Sequence, residues 1–193
     1  MTLRPEQIRA RQYFEEKGTR LPVTEIRTRL AAAFRTLEDL LATVDEATAR
    51  RRTIAGEWSV QEVVDHLVET DRPSIAELRE LLAGRRPPGH PIPAGLQSSA
   101  PMERRWADLL RELAALHAEA LAALAGATDA LPTAARAPIV MVVNVREADG
   151  REAPLHWTEE LDWKAYAAVA FRLHVLDHLN QVRKTLAAGR SAA

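Results

Sequence analysis

The chain has 193 residues, 47% of them hydrophobic, which suits one domain with a sizeable buried core. Its 26 basic and 27 acidic residues leave a formal net charge of −1, and this excludes the basic surface that nucleic acid or an anionic membrane would require. The absence of cysteine excludes disulfides, thiolate metal ligands and a cysteine nucleophile. Any metal ion must therefore be bound by histidine or carboxylate side chains.

The beginning of the chain resembles neither a signal peptide nor a membrane anchor. Residues 1–11 are charged and lack an apolar stretch, and no later run approaches the roughly 18 uninterrupted apolar residues of a membrane span. We therefore expect a cytoplasmic protein with no membrane and no nucleic-acid partner.

The first two helices are predicted from apolar periodicity and capping residues. Thr24 can cap a helix over residues 24–47, in which apolar residues recur at steps of three and four. Ser59 and Glu62 form a capping box, so a second helix is expected over residues 59–83. That helix contains Pro73, which removes one backbone donor and predicts a kink.

A loop and a third helix follow. Residues 84–101 contain five prolines and three glycines, a composition typical of a loop. The helical period then resumes and predicts a helix over residues 102–125.

The pattern changes once more before the last helix. Residues 139–145 are rich in β-branched side chains and are followed by Asp149-Gly150, which predicts a β-hairpin over residues 138–157. Thr158 can cap a last helix over residues 159–188. The predicted fold is all-α, a single four-helix-bundle domain over residues 1–193 with a small inserted hairpin.

Two histidines in the last helix are spaced for chelation. His174 and His178 lie four residues apart, so their side chains project from one face about 6 Å apart. Such a pair is more often two ordinary polar residues than a metal site. His66, at the border of the apolar arc of helix two, would complete a three-histidine site if helices two and four are neighbours. Taken alone, His66 is better explained as a rim histidine bonded to water or to the flanking Glu62, Glu69 or Thr70.

The two histidine segments together resemble a known family. Residues 58–67 read WSVQEVVDHL and residues 174–181 read HVLDHLNQ. A Trp-Ser-led helix ending in histidine, followed by a later HxxxHxxQ, is similar to the pattern of the DinB-like and YfiT-like metal-dependent enzymes, over about residues 24–188. The resemblance implies a four-helix bundle, one divalent metal ion, often nickel or zinc, on His66, His174 and His178, and frequent homodimers.

Other polar residues are weaker candidates. His117 falls on the apolar stripe of helix three, where a satisfied core histidine is more common than a pocket residue. Asp71 and Glu62 lie near His66 in the sequence and are the candidates for a catalytic base, although solvated surface is the default for both. The tryptophans Trp58, Trp157 and Trp163 are expected to be structural. A second apolar strip on the last helix, Val169, Leu173 and Leu176, must meet another part of the chain or form a homodimer seam.

Three functions follow from these features. The first is a metal-dependent enzyme acting on a small molecule, either a hydrolase or a transferase that uses a low-molecular-weight thiol as co-substrate, as some proteins that the chain resembles do. The second is a non-catalytic small-ligand-binding or stress-response bundle. The third, a plain dimeric bundle, leaves the three histidines unexplained.

Overall fold

The computed structural model describes residues 3–146 and 150–191 and shows a mainly helical chain with one two-stranded antiparallel hairpin. Two π-helical segments are present: Glu15–Thr19 continues the first helix, and Ala168–Leu173 joins the last two helices into one continuous helix. The elements are α1 Pro5–Phe14, α2 Val23–Leu41, α3 Glu46–Arg50, α4 Val60–Leu82, α5 Trp106–Ala123, β1 Ala137–Arg146, β2 Glu152–Leu161, α6 Trp163–Ala167 and α7 His174–Ser191.

Four long helices surround the main hydrophobic core. Helix α2 contacts α5, α5 contacts α4, α4 contacts α7, and α7 returns to α2. This arrangement is compatible with the predicted bundle, and it makes the predicted second and last helices neighbours. None of the described helices is both long and apolar enough to cross a membrane.

The capping box at the start of α4 is confirmed. The Ser59 hydroxyl accepts from the Glu62 backbone N–H, and the Glu62 carboxylate accepts from the Ser59 backbone N–H. The helix runs through Pro73 and ends at Leu82. Gly84 then takes a φ of +74°, a left-handed conformation that suits glycine at a helix end. Local capping chemistry therefore fixes the helix that carries His66.

Two predicted helix boundaries were wrong by a few residues, and one helix was not predicted. The first predicted helix ends at Leu41 instead of 47, because Asp45 caps the separate short helix α3 by accepting from Thr48 N–H. Helix α5 begins at Trp106 instead of 102, because residues 101–103 form a 3₁₀ turn. The charged start of the chain, for which we predicted no helix, contains α1.

The hairpin is longer than predicted. Strands β1 and β2 pair from Ala137 opposite Leu161 to Arg146 opposite Glu152, so Thr158 lies inside β2 and is not a helix cap. Asp162 caps α6, where the continuous last helix begins, and its side chain accepts from the backbone N–H groups of Lys164 and Ala165. Of the predicted turn, Gly150 has a φ of +82°, whereas Asp149 lies outside the described residues.

The last helix changes its winding immediately before the histidine pair. Residues 168–173 are π-helical, and the α-helix resumes at His174. A π-helical segment adds a residue to the turn and therefore rotates the side chains that follow it. Helical-wheel placement from the sequence does not carry across such a segment. The strip formed by Val169, Leu173 and Leu176 lines a cavity beside β1 instead of open surface.

Candidate metal centre

The structure brings the three predicted histidines together. His66 comes from α4, and His174 and His178 come from α7. The Nε2 atom of His174 lies 3.0 Å from Nε2 of His66 and 3.0 Å from Nε2 of His178. An ion with metal–nitrogen distances of about 2.0–2.1 Å separates tetrahedral ligands by roughly 3.3 Å. The donor set therefore fits one divalent ion with three imidazole ligands.

Two hydrogen bonds set the tautomers of these rings. His66 Nδ1 donates to the backbone carbonyl of Leu96 at 2.7 Å, and His178 Nδ1 donates to Oε1 of Gln181 at 2.8 Å. With the proton held on Nδ1, each Nε2 carries a lone pair facing the common centre. Both rings are therefore oriented as metal ligands.

A segment of the proline-rich loop is bound to α4 beside His66. Ser98 donates twice to the buried Asp65 carboxylate, from its backbone N–H at 2.8 Å and its hydroxyl at 2.7 Å. Arg104 donates to the same carboxylate at 3.0 Å, and Gln97 donates to a backbone carbonyl of α4. These contacts hold the Leu96 carbonyl in place. Sequence reasoning missed them because a loop gives no periodic signal.

The environment keeps the three imidazoles uncharged at neutral pH. Burial, assisted by repulsion from His178, lowers the pKa of His66 to about 4. Burial also lowers the pKa of His178, and it lowers that of His174 well below its ordinary value, with repulsion from the other two rings adding to the shift. Neutral imidazole is the form that binds metal.

The histidines line a cavity of about 910 Å³. Its walls are residues of α4, of the last helix, of β1 and of the loop at 92–95. Trp58, which we expected to be structural, also lines it, with its ring centroid 5.0 Å from that of His66. Among the described residues, no carboxylate or fourth histidine joins the three-histidine group. An ion bound there would keep coordination positions open toward the cavity.

The two predicted catalytic carboxylates lie away from this cavity. Glu62 is engaged by Arg52 and by the capping box, and Asp71 is buried between α4 and α5. Neither lines the cavity. Asp71 has no hydrogen-bond partner among the described residues, and burial raises its pKa well above the ordinary value. Their catalytic role stays a sequence-based prediction to which this geometry adds nothing.

The predicted pocket residue His117 also lies in the core. Its Nδ1 contacts Glu38 Oε1 at 2.5 Å, its ring stacks on Phe34 at 3.9 Å between centroids, and its Nε2 lies 3.7 Å from Asp71. His117 is not among the residues that line the cavity. The structure therefore places it with the packed side chains that the alternative interpretation favoured.

Comparison with known families agrees with this geometry. A family model of the DinB superfamily matches residues 29–181, a region that includes all three histidines. The chain belongs to the DinB superfamily. No curated protein and no solved structure matches it. Members of the DinB superfamily are often metal-binding, in keeping with the three-histidine cluster.

Proposed function

We propose that this DinB-superfamily protein is a metal-dependent enzyme that uses a three-histidine divalent metal site to act on a small molecule. The observation that carries the proposal is the convergence of three Nε2 atoms on the wall of a large cavity, with no further protein ligand in the described chain. A divalent ion with open positions supplies Lewis acidity and lowers the pKa of bound water or thiol.

The residues of the chain supply the remaining requirements. Leu96 and Gln181 hold two imidazoles in the metal-binding tautomer. The apolar walls formed by β1 and the last helix would contact the apolar part of a bound substrate and displace water from it. Because the chain lacks cysteine, thiol transfer would require a low-molecular-weight thiol from solution. We propose hydrolysis or such thiol transfer as the reaction, and nickel or zinc as the ion.

The rival function is non-catalytic binding of a small ligand. It is favoured by the size of the cavity and by the apolar residues of β1 on its wall. The two proposals differ in whether the protein catalyses a metal-dependent reaction of the bound molecule or only binds it. A YfiT-like subgroup, a cytoplasmic location and a homodimer remain predictions from the sequence.

The first test is the metal content of untagged protein. We expect about one ion per wild-type chain by elemental analysis, and its loss in His66→Ala and His174→Ala. His90→Ala, in an exposed loop, is the matched control and should keep the ion. Metal-free wild-type protein after incubation with zinc, nickel and manganese would contradict the proposal.

The second test separates catalysis from binding. Metal-loaded protein is assayed with hydrolase substrates and with electrophiles in the presence of low-molecular-weight thiols. We expect turnover that disappears on chelation and in His174→Ala. Saturable ligand binding without turnover, unaffected by chelation, would favour the non-catalytic function.

A further inference from the structure

The cavity wall carries a second polar site besides the three histidines. Glu77 lines it and accepts a hydrogen bond from the Tyr166 hydroxyl at 2.5 Å. Tyr166 is only 1% exposed and also lines the cavity, whereas Glu77 is partly exposed. The carboxylate is thus held in one orientation and keeps one oxygen available to a ligand.

The Glu77 carboxylate lies at a distance from the histidines along α4. His66, Thr70, Ser74 and Glu77 all line the cavity and follow one another at steps of four, four and three along α4. They therefore share one face of that helix. Glu77 is eleven residues from His66, which at 1.5 Å per residue is about 16 Å along the axis. The cavity is elongated, with the imidazoles and the carboxylate at separate places along it.

The wall between these two places is mainly apolar. The last helix contributes Val169, Ala170 and Leu173, and β1 contributes residues 138–144. Among the described residues that line the cavity there is no lysine or arginine, and the two carboxylates are Glu77 and Asp177. A carboxylate or phosphate placed near Glu77 would meet a negative charge, and among the described lining residues the one basic side chain outside the three-histidine cluster is His156.

We propose that the cavity binds an elongated, largely apolar molecule with an amine at the end distant from the histidines, and that Glu77 selects this amine. The proposal rests on the proposed function only in treating the histidine end as the reacting end. An ammonium group would bind Glu77 through a charge-assisted hydrogen bond, while the apolar body would displace water from the walls. Glu77 is therefore a specificity residue for the substrate.

The test compares three probes of nearly equal shape: octylamine, 1-octanol and octanoate. Binding is measured by calorimetry at pH 7 with metal-free protein, because amines and carboxylates also ligate metal ions. We expect octylamine to bind about tenfold more tightly than octanol, as a charged hydrogen bond provides, with octanoate weakest. Glu77→Gln should remove most of the advantage of the amine over the alcohol.

The matched control is Glu80→Gln, on the same helix. Glu80 is bound by Arg85 and does not line the cavity, so this variant should retain the wild-type preference. Two results with wild-type protein would each be enough to overturn the proposal. One is that octanoate binds as tightly as octylamine, and the other is that none of the three probes shows saturable binding. It is also overturned if the preference survives Glu77→Gln and falls in Asp177→Asn. Because the protein is metal-free, failure here is distinct from failure of the metal site.

Discussion

Replacing Gln181 by alanine should weaken metal binding without removing a metal ligand. The Gln181 side chain accepts the Nδ1 proton of His178 at 2.8 Å, and His178 is only 8% exposed. Without this acceptor, the ring is free to rotate and to take the tautomer that places the proton on Nε2, the metal-facing atom. The perturbation therefore acts on the geometry and basicity of one ligand.

The expected loss of metal affinity is that seen when a hydrogen-bond partner of a metal-binding side chain is removed. Such substitutions typically cost about 10–100-fold in metal affinity, or about 1.4–2.8 kcal/mol. The assay is competition with a chromogenic chelator for zinc at pH 7, together with urea unfolding of the metal-free protein. We expect a large change in zinc affinity and a small change in the stability of the metal-free form.

The control is Asn180→Ala, which removes an exposed amide one residue away. This amide makes no hydrogen bond to a ring nitrogen of His66 or His178, whose Nδ1 partners are Leu96 and Gln181. The reasoning is refuted if Gln181→Ala binds zinc with wild-type affinity, or if Asn180→Ala weakens zinc binding equally.

Three further predictions concern the surroundings of the site and the core. Ser98→Ala removes one donor to the buried Asp65 and should lower metal affinity severalfold and the free energy of unfolding by about 1 kcal/mol, measured as above; unchanged zinc affinity would contradict this. In the metal-free protein, the pKa of His66 is about 6.5 in the unfolded chain and about 4 in the folded chain. In urea titrations of the metal-free protein, lowering the pH from 6.5 to 4 should therefore lower the free energy of unfolding by about 3 kcal/mol through this group. His66→Ala should lack this part of the pH dependence. Asp71→Asn should raise the free energy of unfolding at pH 7, and this gain should vanish as the pH falls toward 4. Burial raises the pKa of the Asp71 carboxyl in the folded chain, so the wild-type protein loses stability as rising pH ionises Asp71 in the unfolded chain. A loss of stability in Asp71→Asn would instead indicate an ionised Asp71 paired with His117.

The features that the sequence predicted correctly are mainly local. Apolar periodicity identified the long helices, and the Ser59–Glu62 pair identified the beginning of α4, because capping and helical spacing act within a few residues. The four-residue spacing of His174 and His178 placed both rings on one face. His66 was predicted as the third histidine from its place at the border of the apolar arc of helix two, and the family resemblance supported it. Contact between α4 and α7 confirms that His66 lies with the pair.

Other features depended on contacts between distant segments. The start of the last helix moved from Thr158 to Asp162 because β2 continues to pair with β1 as far as Leu161. The roles of Leu96 and Ser98 arise where a loop without periodicity meets α4. No local signal predicts such contacts, since they depend on chain segments separated by about thirty residues.

By itself, then, the sequence determined a mainly helical chain with a hairpin and a histidine pair on one helical face. Only the tertiary structure decided that the strip with Val169 and Leu173 lines a cavity, that Glu62 is occupied by Arg52, and that Glu77 lies along the same wall as His66. The physical reason is that periodicity fixes which face a side chain occupies within its own helix. What that face meets is fixed by the packing of helices and strands that are remote in sequence.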